Sequence, residues 1–191
     1  MKTFLPLDLR DDFFIRLTFN TSEGFHYAGV KKAYRDFNRT LKIKERALHP
    51  TRRNKCEILL IKELQNILFK DYKTQENFDE QHRELCDQLV LEWPELTYGQ
   101  AQKWINMTLK YWLLLGESKI ENVEKNAKFF HIPIDRYVQT GMFNQKKPKP
   151  WSKINNYAEY FEYQKSYRLN SSSSKSPIID EFEFFNNYKN Y

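Results

Sequence analysis

Apolar residues recur along most of this chain at helical spacing, and polar or proline breaks divide them into segments. After a short aromatic N-terminal stretch, Tyr27, Val30, Ala33, Tyr34, Phe37 and Leu41 fall on one stripe, which predicts a helix over Phe25–Ala47. Pro50 is expected to end it, and Thr51 to cap a second helix carrying Ile58, Leu59, Ile61, Leu64, Ile67 and Leu68. A third helix is predicted over Asn77–Trp93, with Phe78, His82, Leu85 and Leu89 inward and Pro94 as its stop. Thr97 and Gln100 have the spacing of a capping box, in which each end of the pair satisfies a backbone N–H of the other. They open a fourth helix with Trp104, Met107, Thr108, Tyr111 and Leu115 inside and Gly116 as terminator.

Further on, Ile120–Phe130 is predicted as a helix, and Pro133 separates it from another that starts at Asp135. Tyr157, Tyr160, Phe161, Gln164 and Tyr167 mark an amphipathic helix. Asn170–Ser176 is polar and serine-rich, the composition of a linker, and a short aromatic tail, Ile178–Tyr191, follows it. No repeat and no alternating strand pattern is present. The expected fold is all-α, one helical domain over residues 1–191 with about eight helices.

Composition agrees with long helices. Fifteen Phe, twelve Tyr and four Trp are available for a core, against only five Gly and seven Pro. The net charge of +6 is unevenly placed. Between Lys31 and Lys55 ten Lys/Arg face two acids, Asp36 and Glu45. The run Lys146, Lys147, Lys149 and Lys153 adds four cations around Trp151 with no acid among them. Clustered positive charge with an interleaved aromatic favours a polyanion partner, and the position of the second run soon after Asp135 points to DNA. Cys56 and Cys86 are the only cysteines and lack metal or redox spacing, as expected of reduced thiols in the cytoplasm. The four histidines show no ligand spacing, so neither a metal nor another cofactor is expected. Met1–Asp8 does not have the pattern of a signal peptide, and the apolar run near Tyr111–Leu115 is too short to span a membrane. A monomer is expected.

Two residues stand where reactive groups would be useful. Lys103 lies in the second turn of the helix capped by Thr97, beside the apolar stripe of Trp104 and Met107. Asp135 follows Ile132-Pro133-Ile134 at the start of the next helix, where N-cap hydrogen bonds keep a carboxylate ionised. A lysine amine can attack a sugar carbon, expel a base and leave a Schiff base. A nearby carboxylate manages the proton and the positive charge that develops on the sugar.

The order of these elements resembles the helix-hairpin-helix DNA glycosylase superfamily, and within it the archaeal 8-oxoguanine DNA glycosylases. The resemblance is carried by Gln102-Lys103-Trp104-Ile105-Asn106-Met107-Thr108-Leu109-Lys110 and by Ile132-Pro133-Ile134-Asp135-Arg136-Tyr137-Val138. It covers Glu76 to Phe143 well, Asn155 to Phe185 loosely, and the N-terminal fifty residues hardly at all. It implies a DNA glycosylase with β-lyase activity, Lys103 as Schiff-base nucleophile and Asp135 as its carboxylate. It further implies Met107 and Phe185 as walls of the base pocket, and a turn at Gly99 and Gln100 that meets a DNA phosphate. The family hairpin carries two closely spaced glycines, whereas only Gly99 stands at this turn. The substrate left open is 8-oxoguanine or another modified base, in repair or on foreign DNA. The other function left open is a non-catalytic helical module that binds DNA or a partner.

Overall fold

In the computed structural model the described residues are 7–171 and 175–188. Among them the chain forms eight α-helices and no strand: α1 (Leu7–Thr18), α2 (Phe25–Phe37), α3 (His49–Phe69), α4 (Gln75–Glu92), α5 (Tyr98–Leu115), α6 (Arg136–Gly141), α7 (Tyr157–Asn170) and α8 (Pro177–Asn187). The all-α expectation holds.

The centre of the fold is α5. Its residues from Gly99 to Lys110 are buried without a break, so the other helices surround it. The Thr97 capping box forms as the spacing predicts, with Gln100 N–H donating to Thr97 Oγ1 (3.2 Å) and Thr97 N–H to Gln100 Oε1 (3.0 Å). Gly116 ends the helix at φ +78°, a conformation that glycine adopts without strain. Along one side α2 lies close, because Gly29 leaves room for the Trp112 ring; a Cβ there would come within 2.5 Å of it. Two indoles peg the pair together: Trp104 Nε1–H donates to the Val30 carbonyl (3.0 Å) and Trp112 Nε1–H to that of His26 (3.2 Å). Leu60 and Leu64 of α3 and Phe78, Leu85 and Leu89 of α4 complete this core. A smaller one gathers Ile132, Ile134, Val138, Ile154 and Tyr160.

Several boundaries differ from the sequence expectation. The helix expected over Phe25–Ala47 stops at Phe37, where Asn38–Thr40 tightens into a 3-10 turn and Thr40 Oγ1 donates to the Phe37 carbonyl (2.7 Å). Pro50 does not break a helix. It sits in the first turn of α3, where a missing N–H leaves no bond unmade, and Leu48 rather than Thr51 is the N-cap. Ile120–Phe130 is a series of turns ending in the 3-10 segment Ala127–Phe129. Glu117 binds the backbone N–H of Asn122 (2.6 Å) and Glu124 (3.2 Å), and Asn122 turns to φ +61°. The Asn126 amide donates to the carbonyls of Ile67 (2.9 Å), Leu68 (3.3 Å) and Lys70 (2.8 Å), so this segment closes the C-terminus of α3. The aromatic stretches at the two chain ends, to which the sequence assigns no helix, contain α1 and α8. Parts of the serine-rich linker and of the tail lie outside the described residues.

Candidate nucleic-acid active site

The segment 131–135 is pinned against α5 by two side-chain amides that act like a neighbouring strand. Gln102 accepts the Ile134 N–H (3.1 Å) and donates to the Ile134 carbonyl (2.9 Å). From α7, Gln164 does the same to Ile132, at 3.1 Å and 2.8 Å. Pro133 between them has no N–H to satisfy, so buried extended backbone is tolerated here without a sheet.

Behind this clamp lies a buried polar network. Asn106 Nδ2–H donates to Gln102 Oε1 (3.1 Å) and to the Tyr160 hydroxyl (2.9 Å), and its Oδ1 lies 2.9 Å from His82 Nε2. His131 Nδ1 lies 2.8 Å from that hydroxyl, and Nε2 lies 2.7 Å from Asp79 Oδ1. Arg168 closes the chain with two hydrogen bonds to Asp79, at 2.6 and 2.8 Å. Burial alone would raise the Asp79 carboxyl, but hydrogen bonds from His131 and Arg168 outweigh it and hold the group well below the carboxylate range. Burial pushes both His82 and His131 down, and the Asp79 carboxylate offsets this only in part at His131.

The clamp delivers Asp135 to Lys103. Asp135 caps α6, with Oδ1 accepting the Val138 N–H (2.9 Å). Its other oxygen, Oδ2, receives the Lys103 Nζ at 2.7 Å. Lys103 is only 5% exposed, and both residues line a cavity of about 630 Å³. Met107 and Phe185 line the same cavity, so four residues singled out in the sequence meet in one place. Another cavity, of about 570 Å³ between α7 and α8, is lined by Asp180 and Glu183 with no lysine or arginine, and does not suit a polyanion.

Sequence reasoning missed the second buried lysine. Lys110 lies two turns beyond Lys103 on the same face, and that spacing was the available signal. Its Nζ donates to Glu181 Oε1 at 2.8 Å and lies 2.6 Å from Oε2, and it sits 4.4 Å from the centre of the Phe185 ring. Burial lowers the Lys110 pKa and raises that of Glu181, and their mutual attraction offsets this only in part. Lys110→Met should therefore lower unfolding free energy by about 3–5 kcal/mol, because it leaves Glu181 buried without a cation. Lys110→Met with Glu181→Leu should recover most of that loss in urea titrations. A single variant as stable as the parent protein would show that the pair carries no structural weight.

Opposite in chemistry is the pair Tyr111–Asp36, also at this cavity. The Tyr111 hydroxyl donates to Asp36 Oδ2 at 2.6 Å. Burial first, and then the Asp36 carboxylate, push the phenol above its usual range and keep it a donor.

The expected phosphate-meeting turn is not found at Gly99 and Gln100. The Gly99 N–H donates to the Ile154 carbonyl (3.0 Å), and a Cβ there would collide with the carbonyl of Trp151. Gln100 is buried; its carbonyl oxygen serves the capping box, and its amide donates to Thr40 O and Oγ1, both at 3.0 Å. The segment containing Trp151–Lys153 covers the turn and takes the place a phosphate would need. The lysines of that region do face solvent. Lys146, Lys147, Lys149 and Lys153 are all exposed, although Lys149 is paired with Glu159 (2.6 Å). Lys146 and Lys147 border a recess that shares Arg136 and Trp151 with the Lys103 cavity.

Other chemistry is poorly supported. Burial drives the Cys56 thiol up to about 12 and Cys86 well above the thiol range, which leaves both unreactive. Among the described residues no cluster of metal-ligating side chains occurs, and no helix is long and apolar enough to cross a membrane. No protein-family model, curated protein or solved structure matches this chain.

Proposed function

We propose that this protein is a DNA glycosylase with β-lyase activity, which takes a damaged or modified base into the cavity at Lys103 and Asp135. The observation that carries this reading is the 2.7 Å contact between an almost fully buried lysine amine and a helix-capping carboxylate at a basic, aromatic-walled cavity. DNA enzymes that act on a base must first extrude it from the stack, and a cavity of about 630 Å³ offers room for the extruded nucleotide.

In the proposed reaction Asp135 Oδ2 takes the proton that Lys103 Nζ gives up. The freed amine attacks C1′ of the target nucleotide. The bond from C1′ to the base breaks, and the base leaves with the electron pair and acquires a proton. Opening of the sugar ring at O4′ then leaves an iminium between Nζ and C1′. Loss of a C2′ proton expels the 3′ phosphate, and water hydrolyses the imine to regenerate the lysine. Once Asp135 has passed that proton to the departing base it is an anion again, beside the positive charge that develops on the sugar, which it stabilises. Met107 and Phe185 offer apolar surfaces to the planar base, while Lys110 and Tyr111 offer polar atoms to its edges.

The near-complete burial of Lys103 in its ion pair also suits a second reading, a non-catalytic DNA-binding module in which the pair is structural. Single-turnover incubation with duplexes carrying a panel of oxidised and modified bases, with borohydride present, separates the two. The glycosylase should cleave and be trapped on at least one member. Protein that binds the duplexes but cleaves and traps on none is the binding module.

A further inference from the structure

Half of the ten cations between Lys31 and Lys55 are paired with acids within the fold. Lys31 pairs with Glu23, Lys32 with Asp36 (3.8 Å), Arg53 with Glu57 (2.7 Å) and Lys55 with Glu92 (3.1 Å). Arg52 reaches both Glu95 (2.6 Å) and Glu45 (3.4 Å). Lys42, Lys44 and Arg46 are exposed but take no part in lining the Lys103 cavity. Two cations of the segment differ from all of these. Arg35, near the end of α2, and Arg39, in the following 3-10 turn, are exposed and line that cavity. Among the described residues neither makes an ion pair. The carboxylates of the same cavity are engaged elsewhere: Asp36 by Tyr111 and Lys32, Asp135 by Lys103. The two guanidinium groups are therefore surplus positive charge at the mouth of the site.

Their support is rigid. The indoles of Trp104 and Trp112 bind α2 to α5, the helix that carries Lys103, so the arginines keep a fixed relation to the nucleophile. Four residues apart, they stand about one turn from each other, close enough to serve neighbouring groups on one strand. Guanidinium forks match phosphate oxygens in a bidentate way that an ammonium does not. The glycine turn that could have met a phosphate is meanwhile occupied by Trp151 and Ile154.

We infer that Arg35 and Arg39 form a phosphate clamp for duplex DNA, holding the backbone beside the nucleotide that enters the cavity. This rests on the DNA-directed reading of the Lys103 site but concerns binding, which can be measured without base excision. Within the basic segment, these two residues contact DNA and the paired ones do not.

The test is binding of an unmodified duplex oligonucleotide by the full chain, followed by fluorescence anisotropy over a series of salt concentrations. Arg35→Gln/Arg39→Gln should weaken binding and reduce the slope of log affinity against log salt by about 1.8, since each lost phosphate contact removes about 0.9. Lys31→Gln/Lys55→Gln removes the same formal charge from the same segment and should leave the slope unchanged. Thermal melting of both variants checks that they fold. Equal slopes for the two variants, an unchanged slope for Arg35→Gln/Arg39→Gln, or no duplex binding by the parent protein would overturn the clamp. A reduced slope with no borohydride trapping by the parent protein would sustain the clamp and reject the glycosylase. Trapping by the parent protein with an unchanged slope would do the reverse.

Discussion

Protein carrying Lys103→Gln should form no borohydride-trapped adduct with any duplex on which the parent protein is trapped. Glutamine has no amine to attack C1′, so the covalent route is removed rather than slowed. DNA binding should survive, because Lys103 is almost fully buried and contributes little to the exposed basic surface. The fold should survive as well. Asp135 keeps its hydrogen bond from the Val138 N–H, the glutamine amide supplies a donor of its own, and no core cavity is opened. Anisotropy and thermal melting on the same preparation establish both points. Trapping at the parent level would mean that another lysine is the nucleophile, and Lys110 is the first to examine because it lines the same cavity.

Asp135→Asn should separate charge from shape. Asparagine is as good an N-cap as aspartate, so α6 should keep its first turn and the segment 131–135 should stay between Gln102 and Gln164. What disappears is the acceptor for the lysine proton and the anion beside the developing sugar cation. Electrostatic groups of this kind commonly contribute about 3–4 kcal/mol, so single-turnover base excision should slow by about a hundred- to a thousandfold. DNA affinity should change little. A rate within about threefold of the parent value, well under 1 kcal/mol, would remove Asp135 from the chemistry.

The parts of the structure legible in the sequence were those written in short-range signals. The Thr97–Gln100 box, the Gly116 stop and the Asp135 cap each depend on residues within a few positions, and all three formed where expected. The two caps fix where α5 and α6 begin, but the pairing of Lys103 with Asp135 was implied by the resemblance, and it is the Gln102 and Gln164 clamp that brings them to 2.7 Å. Ile120–Phe130 misled because its apolar spacing fits a helix, while long-range bonds from Asn126 to the end of α3 favour turns. The role of Glu181 was hidden because the C-terminal stretch was read as a tail, and only burial against Lys110 gives that carboxylate its place. Gly99 looked like a backbone site for a ligand, but the close approach it permits is that of Trp151. The basic segment was over-read for a related reason. Sequence counts charges, whereas the fold decides which of them are already matched, and acids as remote as Glu92 and Glu95 neutralise Lys55 and Arg52.

The proposed chemistry is tested most directly by the position of the covalent bond. Parent protein is reduced with borohydride during turnover on a cleaved duplex, digested, and the DNA-modified peptide is sequenced by mass spectrometry. The adduct should fall on Lys103 alone. An adduct on Lys110 or on a surface lysine, or no adduct on any duplex of the panel, would contradict the assignment of Lys103 and Asp135 as the reacting pair.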